Sequence, residues 1–267
     1  MTSTRVRHTG GPAAVPVGEL LRDWRQRRHL SQLDLAAIAE VSTRHLSWVE
    51  TGRSRPTAQM ILRLAESMDV PLRERNQLLL AGGFAPAFAE SALDSPPLGA
   101  VLEALRAVLA AHHPFPAVVV DRAWEMVEAN AGLEPLIAGA APELLEPPVN
   151  VLRLSLHPRG LAPRIVNLPE WRTHLLARLG REAASTGDPV LVDLLAELRG
   201  YPGGERPVSP AGQVVVPIRV RRGDAVLSFL STTTVFGTPQ DVTVDELALE
   251  AFYPADAPTR AALLRTP

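Results

Sequence analysis

Cysteine is missing from all 267 positions. Its absence excludes disulfides, cysteine-ligated zinc and cysteine nucleophiles together, and it fits a cytoplasmic protein. Lysine is missing as well, so all 27 basic residues are arginine. A GC-rich coding bias explains this as simply as a preference for guanidinium forks at phosphates does. No run of eighteen apolar residues occurs, which removes a transmembrane helix and any expected membrane partner. Residues 1–16 are basic but lack the apolar core of a signal peptide, and a disordered arm is expected there.

The marks of catalysis are missing too. No serine sits in a nucleophile elbow and no two acids stand in a marked setting. The glycine pairs at 10–11, 82–83 and 203–204 lack the continuation of a phosphate loop. The adjacent histidines His112 and His113 precede Pro114, but no third ligand follows at a metal spacing, so they read as a helix end. Neither an enzyme, a metal nor a cofactor is expected.

What the chain does contain is length for two small domains and 46% hydrophobic residues to fill their cores. Its charge is lopsided. The formal total is −2, yet residues 1–60 carry nine arginines against five acids and the remainder eighteen against twenty-four. A basic head of +4 on an acidic body of −6 suits a DNA-binding module joined to something else. A solvated charged face would look the same.

Val17, Leu20, Leu21 and Trp24 repeat at helical spacing and place a first helix at 17–29. Ser31, with Asp34 three residues on, opens a second whose inward residues are Leu35, Ala36 and Ala39. The turn at 40–42 puts Glu40 where one residue must be left-handed, at a cost of about 1 kcal/mol. Ser42 caps a third helix, 43–50. Leu46 and Val49 point to its core side, and Thr43, Arg44, Ser47 and Trp48 are left outside. Eight residues span about 12 Å, close to the width of a DNA major groove. Gly52 ends this helix, a basic loop carries Arg53 and Arg55, and helices at 57–68 and 72–81 complete a five-helix array.

The pattern Ser31-Gln32, Leu35-Ala36, Ser42, Leu46, Glu50-x-Gly52 and Pro56 resembles the Cro/C1-type helix-turn-helix of phage repressors and XRE-type regulators. The resemblance covers residues 17–84. It implies that Gln32 touches a phosphate and that Ser42, Thr43 and Arg44 meet phosphate and base edges. Arg53 and Arg55 would grip the backbone, and Arg25 with Glu50 would form a structural ion pair. Ser47 and Trp48 share the outer face; Trp48 either packs on sugar or a thymine methyl or shields the core. His45 is a phosphate neighbour or a cap partner.

Residues 85–97 are rich in Ala, Pro and Ser and read as a linker. A helix follows at 98–111, then strands at 117–121 and 124–130, with Asn130 as the cap of a short helix. This hairpin resembles the start of a PAS domain. Further helices are expected at 149–156, 169–184 and 189–198, and strands at 214–221 and 225–236, joined by a hairpin turn at Arg222-Gly223-Asp224. Residues 246–253 read as a short helix or strand, and the tail 256–267 as loose. The segments 90–105, 157–167, 174–184 and 231–247 resemble MmyB-like transcription regulators, which join an XRE-type domain to a PAS-like ligand-binding domain, here 98–255. The expected fold class is therefore α+β with two domains: a five-helix DNA-binding domain, then an antiparallel sheet with packed helices.

That resemblance implies a fatty acid or a similar small apolar ligand. A chain of twelve methylenes would gain roughly 10 kcal/mol on burial before ordering costs. Inward residues offered as its lining are Val118, Val120, Val151, Leu154, Trp171 and Leu175, then Val216, Ile218, Leu227 and Phe229, with Leu195 behind them. His157, Arg164 and Arg159 could pair with a carboxylate head or simply belong to a satisfied surface loop. The expected function is a ligand-responsive regulator, acting as a homodimer on an operator with two half-sites. The alternative is a regulator whose second domain only dimerises or contacts another protein.

Overall fold

A computed structural model describes residues 15–204 and 215–265. The expected arm falls almost wholly outside the described residues, as do Val214 and the last two positions. The chain divides into two units between Ala89 and Glu90.

Among the described residues the first unit has five helices: α1 (Val17–Arg27), α2 (Gln32–Ile38), α3 (Thr43–Glu50), α4 (Ala58–Ser67) and α5 (Leu72–Ala81). Their sequence signals work as expected. Ser31 and Asp34 form a reciprocal capping box on α2, and the Ser42 hydroxyl accepts from the His45 amide on α3. Leu21, Leu35, Leu46, Ile61 and Leu64 are fully buried in one core. Glu40 does adopt the left-handed region, at φ 53°. The amide of Val41 then donates to Ala36 and that of Glu40 to Ala37, so α2 ends in a Schellman motif without glycine. Gly52 does the same for α3 at φ 73°, with Arg53 donating to the Trp48 carbonyl over 2.8 Å. One requirement left no trace in the sequence pattern. A Cβ on Gly18 would lie 2.2 Å from the Val49 carbonyl oxygen, so only glycine lets α1 approach α3 this closely.

The second unit contains α6 (Gly99–His112), β1 (Ala117–Val120), β2 (Met126–Ala129), α7 (Glu134–Ile137), α8 (Val151–Leu156), α9 (Leu168–Thr186) and α10 (Pro189–Arg199). It ends with β3 (Ile218–Arg222), β4 (Ala225–Val235), α11 (Val242–Asp245), β5 (Ala248–Pro254) and α12 (Ala257–Leu264). The five strands form one antiparallel sheet in the order β2-β1-β5-β4-β3. Successive residues alternate between its faces. Ala117, Val119, Leu249 and Ala251 meet Leu105 and Leu109 of α6 on one face. Val118, Ile218, Val220, Leu227 and Phe229 face the larger core, which α8, α9 and α10 cover.

Several expectations are corrected. The boundary between the units falls inside the segment 85–97 read as a linker, and its start is held in place: the Asn76 amide donates to the Phe88 carbonyl and accepts from the Ala87 and Phe88 amides. Further along, the Ser91 carbonyl accepts from Thr243. Asn130 stands at the head of a short 3-10 turn over Ala131–Leu133, but its side chain does not cap it. It is buried, accepts from the Ala117 amide and donates to the carbonyls of Leu109 and Phe115, which clamps α6 to β1. Trp124 precedes β2 instead of lying in it, at φ 63°. Segment 246–253 resolves as strand β5.

The tail is the clearest correction. Residues 257–264 are a helix capped by Asp256, and Leu263 joins the main core. The buried Thr259 hydroxyl accepts from the Ser228 amide over 3.0 Å, which fastens α12 to β4. Thr259→Val would strand that buried amide and should destabilise the second unit by about 1–3 kcal/mol. Urea denaturation measures this, and an unchanged midpoint would show that the bond contributes nothing.

Candidate DNA-binding surface and ligand cavity

The foundation of the first site is a buried carboxylate. Glu50 closes α3 with its side chain fully shielded from solvent. Its oxygens accept from Arg25 Nε at 2.7 Å and Arg25 Nη2 at 2.8 Å, a bidentate fork from α1, and from Gln32 Nε2 on α2 at 2.8 Å. Arg22 Nη2 adds a bond to the Glu50 carbonyl. Three helices thus converge on one acid. Burial opposes its charge, but the bonds from Arg25 and Gln32 and the nearby guanidinium charges outweigh that and hold its carboxyl below the usual range.

On the opposite side of α3, Arg44 and Trp48 are exposed. Their spacing of four residues stacks the guanidinium over the indole at 4.5 Å. This contact is worth about 0.5–1 kcal/mol at an exposed site and narrows the directions in which the Arg44 fork points. Thr43 and Ser47 are half-buried beside them. Arg53 and Arg55 are exposed on the loop that follows. Gln32 has one N–H engaged by Glu50, and its second N–H and its carbonyl make no side-chain hydrogen bond with any described residue.

The second unit holds a cavity of about 90 Å³ between the sheet and helices α7, α8 and α9. Its walls are mostly apolar: Val118, Met126, Leu136, Val151, Leu154, Leu175, Ile218 and Phe252 among them. Two tryptophans line it as well. Trp171 donates its indole N–H to the Ser155 hydroxyl at 3.0 Å, and Trp124 donates to Glu182 at 2.9 Å. Its polar residues include His174, Arg178, Ser231 and Glu250. Arg178 Nη2 donates to the buried Glu250 carboxylate at 2.7 Å and Nε to Glu182 at 3.2 Å, while its guanidinium lies 4.5 Å from the Trp124 ring centre.

A family model for the MmyB-like transcription regulator ligand binding domain matches residues 101–265, and one for a helix-turn-helix domain matches residues 16–78. The chain belongs to the MmyB-like transcription regulators. It joins a helix-turn-helix to an MmyB-like ligand-binding domain, the organisation of a DNA-binding transcriptional regulator. Both families describe binding modules. No match was found among curated proteins. Among the described residues no helix is long and apolar enough to cross a membrane.

Six of the sequence-derived candidates line the cavity of the MmyB-like domain: Val118, Val151, Leu154, Trp171, Leu175 and Ile218. The others do not. Val120 follows a register shift in β1 and is packed as core. Val216, Leu227 and Phe229 pack in the same core as Leu263 of α12, the helix that occupies the place where a loose tail was expected. Leu195 is core as well. His157 lies edge-on against Tyr201 at 5.1 Å, outside the cavity. The Arg164 guanidinium donates to the Leu136 carbonyl, and Arg159 pairs with Glu143. Each has a partner within the fold, which is the satisfied-loop alternative. His112 ends α6 with its ring 3.2 Å from the Phe252 carbonyl.

Sequence reasoning missed the polar residues of the cavity. His174 and Arg178 are four apart on α9 and share a face, a signal that was available. Glu250 was not distinguishable from a solvated glutamate, because its burial depends on how α9 crosses β5.

Proposed function

We propose that this regulator reads an operator through α3 and responds to a small apolar ligand held in the cavity of its second unit. The observation that carries the DNA half is the exposed Arg44–Trp48 pair on a helix whose far end is locked by Glu50. Arg44 would present its fork to a guanine edge, with Thr43 and Ser42 at the same end of the helix. Gln32, Arg53 and Arg55 would hold phosphates, and Ser47 and Trp48 would border the groove. One helix of about 12 Å reads few bases, so a homodimer on two half-sites supplies the specificity. The setting is the cytoplasm.

Arg44→Ala should relax base preference at one position by about 1–3 kcal/mol, whereas Arg53→Ala should weaken all sequences alike and lower the salt slope by about 1. Binding to selected and scrambled duplexes over a salt series measures both. Unchanged affinity in both variants would overturn this docking.

The ligand half rests on the apolar cavity. Its apolar walls suit a hydrocarbon chain such as the tail of the fatty acid that the resemblance implies; the cavity is well under the ~300 Å³ of sites for drug-sized ligands, so a long chain needs the walls to part. Native mass spectrometry of the purified chain looks for a co-purified apolar molecule, and operator binding is then compared with and without it. A filled, ligand-free domain and indifferent DNA affinity would favour a second unit that only dimerises or contacts another protein.

A further inference from the structure

The polar residues of the cavity are not those of a carboxylate site. Arg178 is the one cation on its walls among the described residues. Its guanidinium already serves two carboxylates, Glu250 at 2.7 Å and Glu182 at 3.2 Å. Glu250 is 4% exposed and also accepts from the Thr233 hydroxyl, so its charge is fixed in place by two donors. Counted together, these three groups carry one negative charge in excess. A ligand carboxylate set against this end would face buried Glu250 with little water between, where like charges repel more strongly than in bulk solvent.

Besides the Ser155 hydroxyl, which Trp171 already engages, two uncharged lining groups make no side-chain hydrogen bond with any described residue. His174 stacks on Trp171 with ring centres 5.5 Å apart and makes no side-chain hydrogen bond with any described residue. Burial first, then the charges of Arg178 and the exposed Arg181, hold its pKa below the usual value against the pull of Glu250. A neutral imidazole offers one N–H donor and one acceptor. The Ser231 side chain on β4 likewise has no partner among the described residues, and a hydroxyl both donates and accepts. By the ~10–15 Å³ that a single water needs, the space holds roughly six to nine such positions, so the fitting molecule is compact.

We propose that the cavity selects a compact, uncharged apolar molecule ending in a hydrogen-bonding oxygen, such as an alcohol, ketone or lactone, and discriminates against the corresponding carboxylate. The oxygen would meet His174 and Ser231, and Glu250 would be the group that rejects an acid. This rests on the reading of the cavity as a ligand site.

The test uses the full chain and four eight-carbon probes: octan-1-ol, octan-2-one, octanoate and octylammonium. Binding is followed by calorimetry and by tryptophan fluorescence, to which Trp124 and Trp171 report from the cavity walls. The alcohol and ketone should bind at least tenfold more tightly than octanoate. Because octanoate also prefers water, the decisive arm is Glu250→Gln, which keeps the hydrogen-bonding shape. This variant should raise octanoate affinity at least tenfold relative to octan-1-ol. His174→Phe and Ser231→Ala, milder changes, should each weaken octan-1-ol three- to tenfold and leave octanoate nearly unchanged. Octanoate or octylammonium binding tightest, or a Glu250→Gln variant with the wild-type ratio, would overturn the proposal while the ligand site stands. Failure of all four probes to bind would remove the ligand reading and the proposal with it. If Glu250→Gln does not fold, wild-type affinity for octan-1-ol in both milder variants is the overturning result.

Discussion

Glu50→Ala should destabilise the helix-turn-helix unit by about 3–5 kcal/mol, because it leaves the Arg25 guanidinium buried without its anion. The loss falls on the joint where α1, α2 and α3 meet, so hydrogen exchange of all three helices should accelerate together. Glu50→Gln retains the shape and one acceptor, and should lose less, about 1–3 kcal/mol. The effect depends on pH in a defined direction. The folded carboxyl is held below its ordinary pKa, so its stabilisation is complete above about 4.3 and is lost as the pH falls through the lowered folded value. Acid should therefore narrow the gap between the wild type and Glu50→Gln. A wild-type unfolding midpoint for Glu50→Ala at neutral pH would refute this account. Under the proposed docking, DNA affinity should fall with the unfolded fraction, since the Glu50 side chain is buried and lies on the side of α3 away from Arg44 and Trp48.

The second large effect separates core from cavity. Phe229 is 0% exposed and is among the largest wholly buried side chains. Phe229→Ala should cost about 3–5 kcal/mol in the stability of the second unit and leave the first unit's transition in place. Val151→Ala removes a smaller, half-buried side chain from the cavity wall and should act more on ligand binding than on folding. Denaturation followed by circular dichroism, with probe binding measured in parallel, distinguishes the two. If Phe229→Ala were stable and deficient only in binding, the cavity would reach β4 further than its walls indicate.

The first unit was readable because its information is local. Caps act over three residues, and the left-handed exits at Glu40 and Gly52 belong to single positions. The ion pair between Arg25 and Glu50 was implied by a family pattern, and the structure contains it. Gly18 was not readable, since its role is the absence of an atom in front of Val49, which no periodicity reports.

The second unit was legible in its elements and less so in its site. Alternation and helical spacing placed most strands and helices within a few residues, yet α12 was taken for a loose tail. It is only eight residues long and its apolar residues are mostly alanine, and what anchors it is Leu263 in the main core and one threonine meeting one strand amide. That error carried into the cavity: Val216, Leu227 and Phe229 were offered as lining and are packed in the core that α12 helps to fill.

By itself, the sequence determined the two-part organisation, the helix-turn-helix with its outward Arg44 and Trp48, and which side chains of the second unit face inward. Tertiary structure alone decided which inward residues border open space, and that Arg178, Glu250 and His174 gather at the cavity. Facing inward is a property of one element's period. Lining a void, or sharing a buried charge, depends on where segments far apart in sequence cross, as Arg178 and Glu250 do across 72 residues.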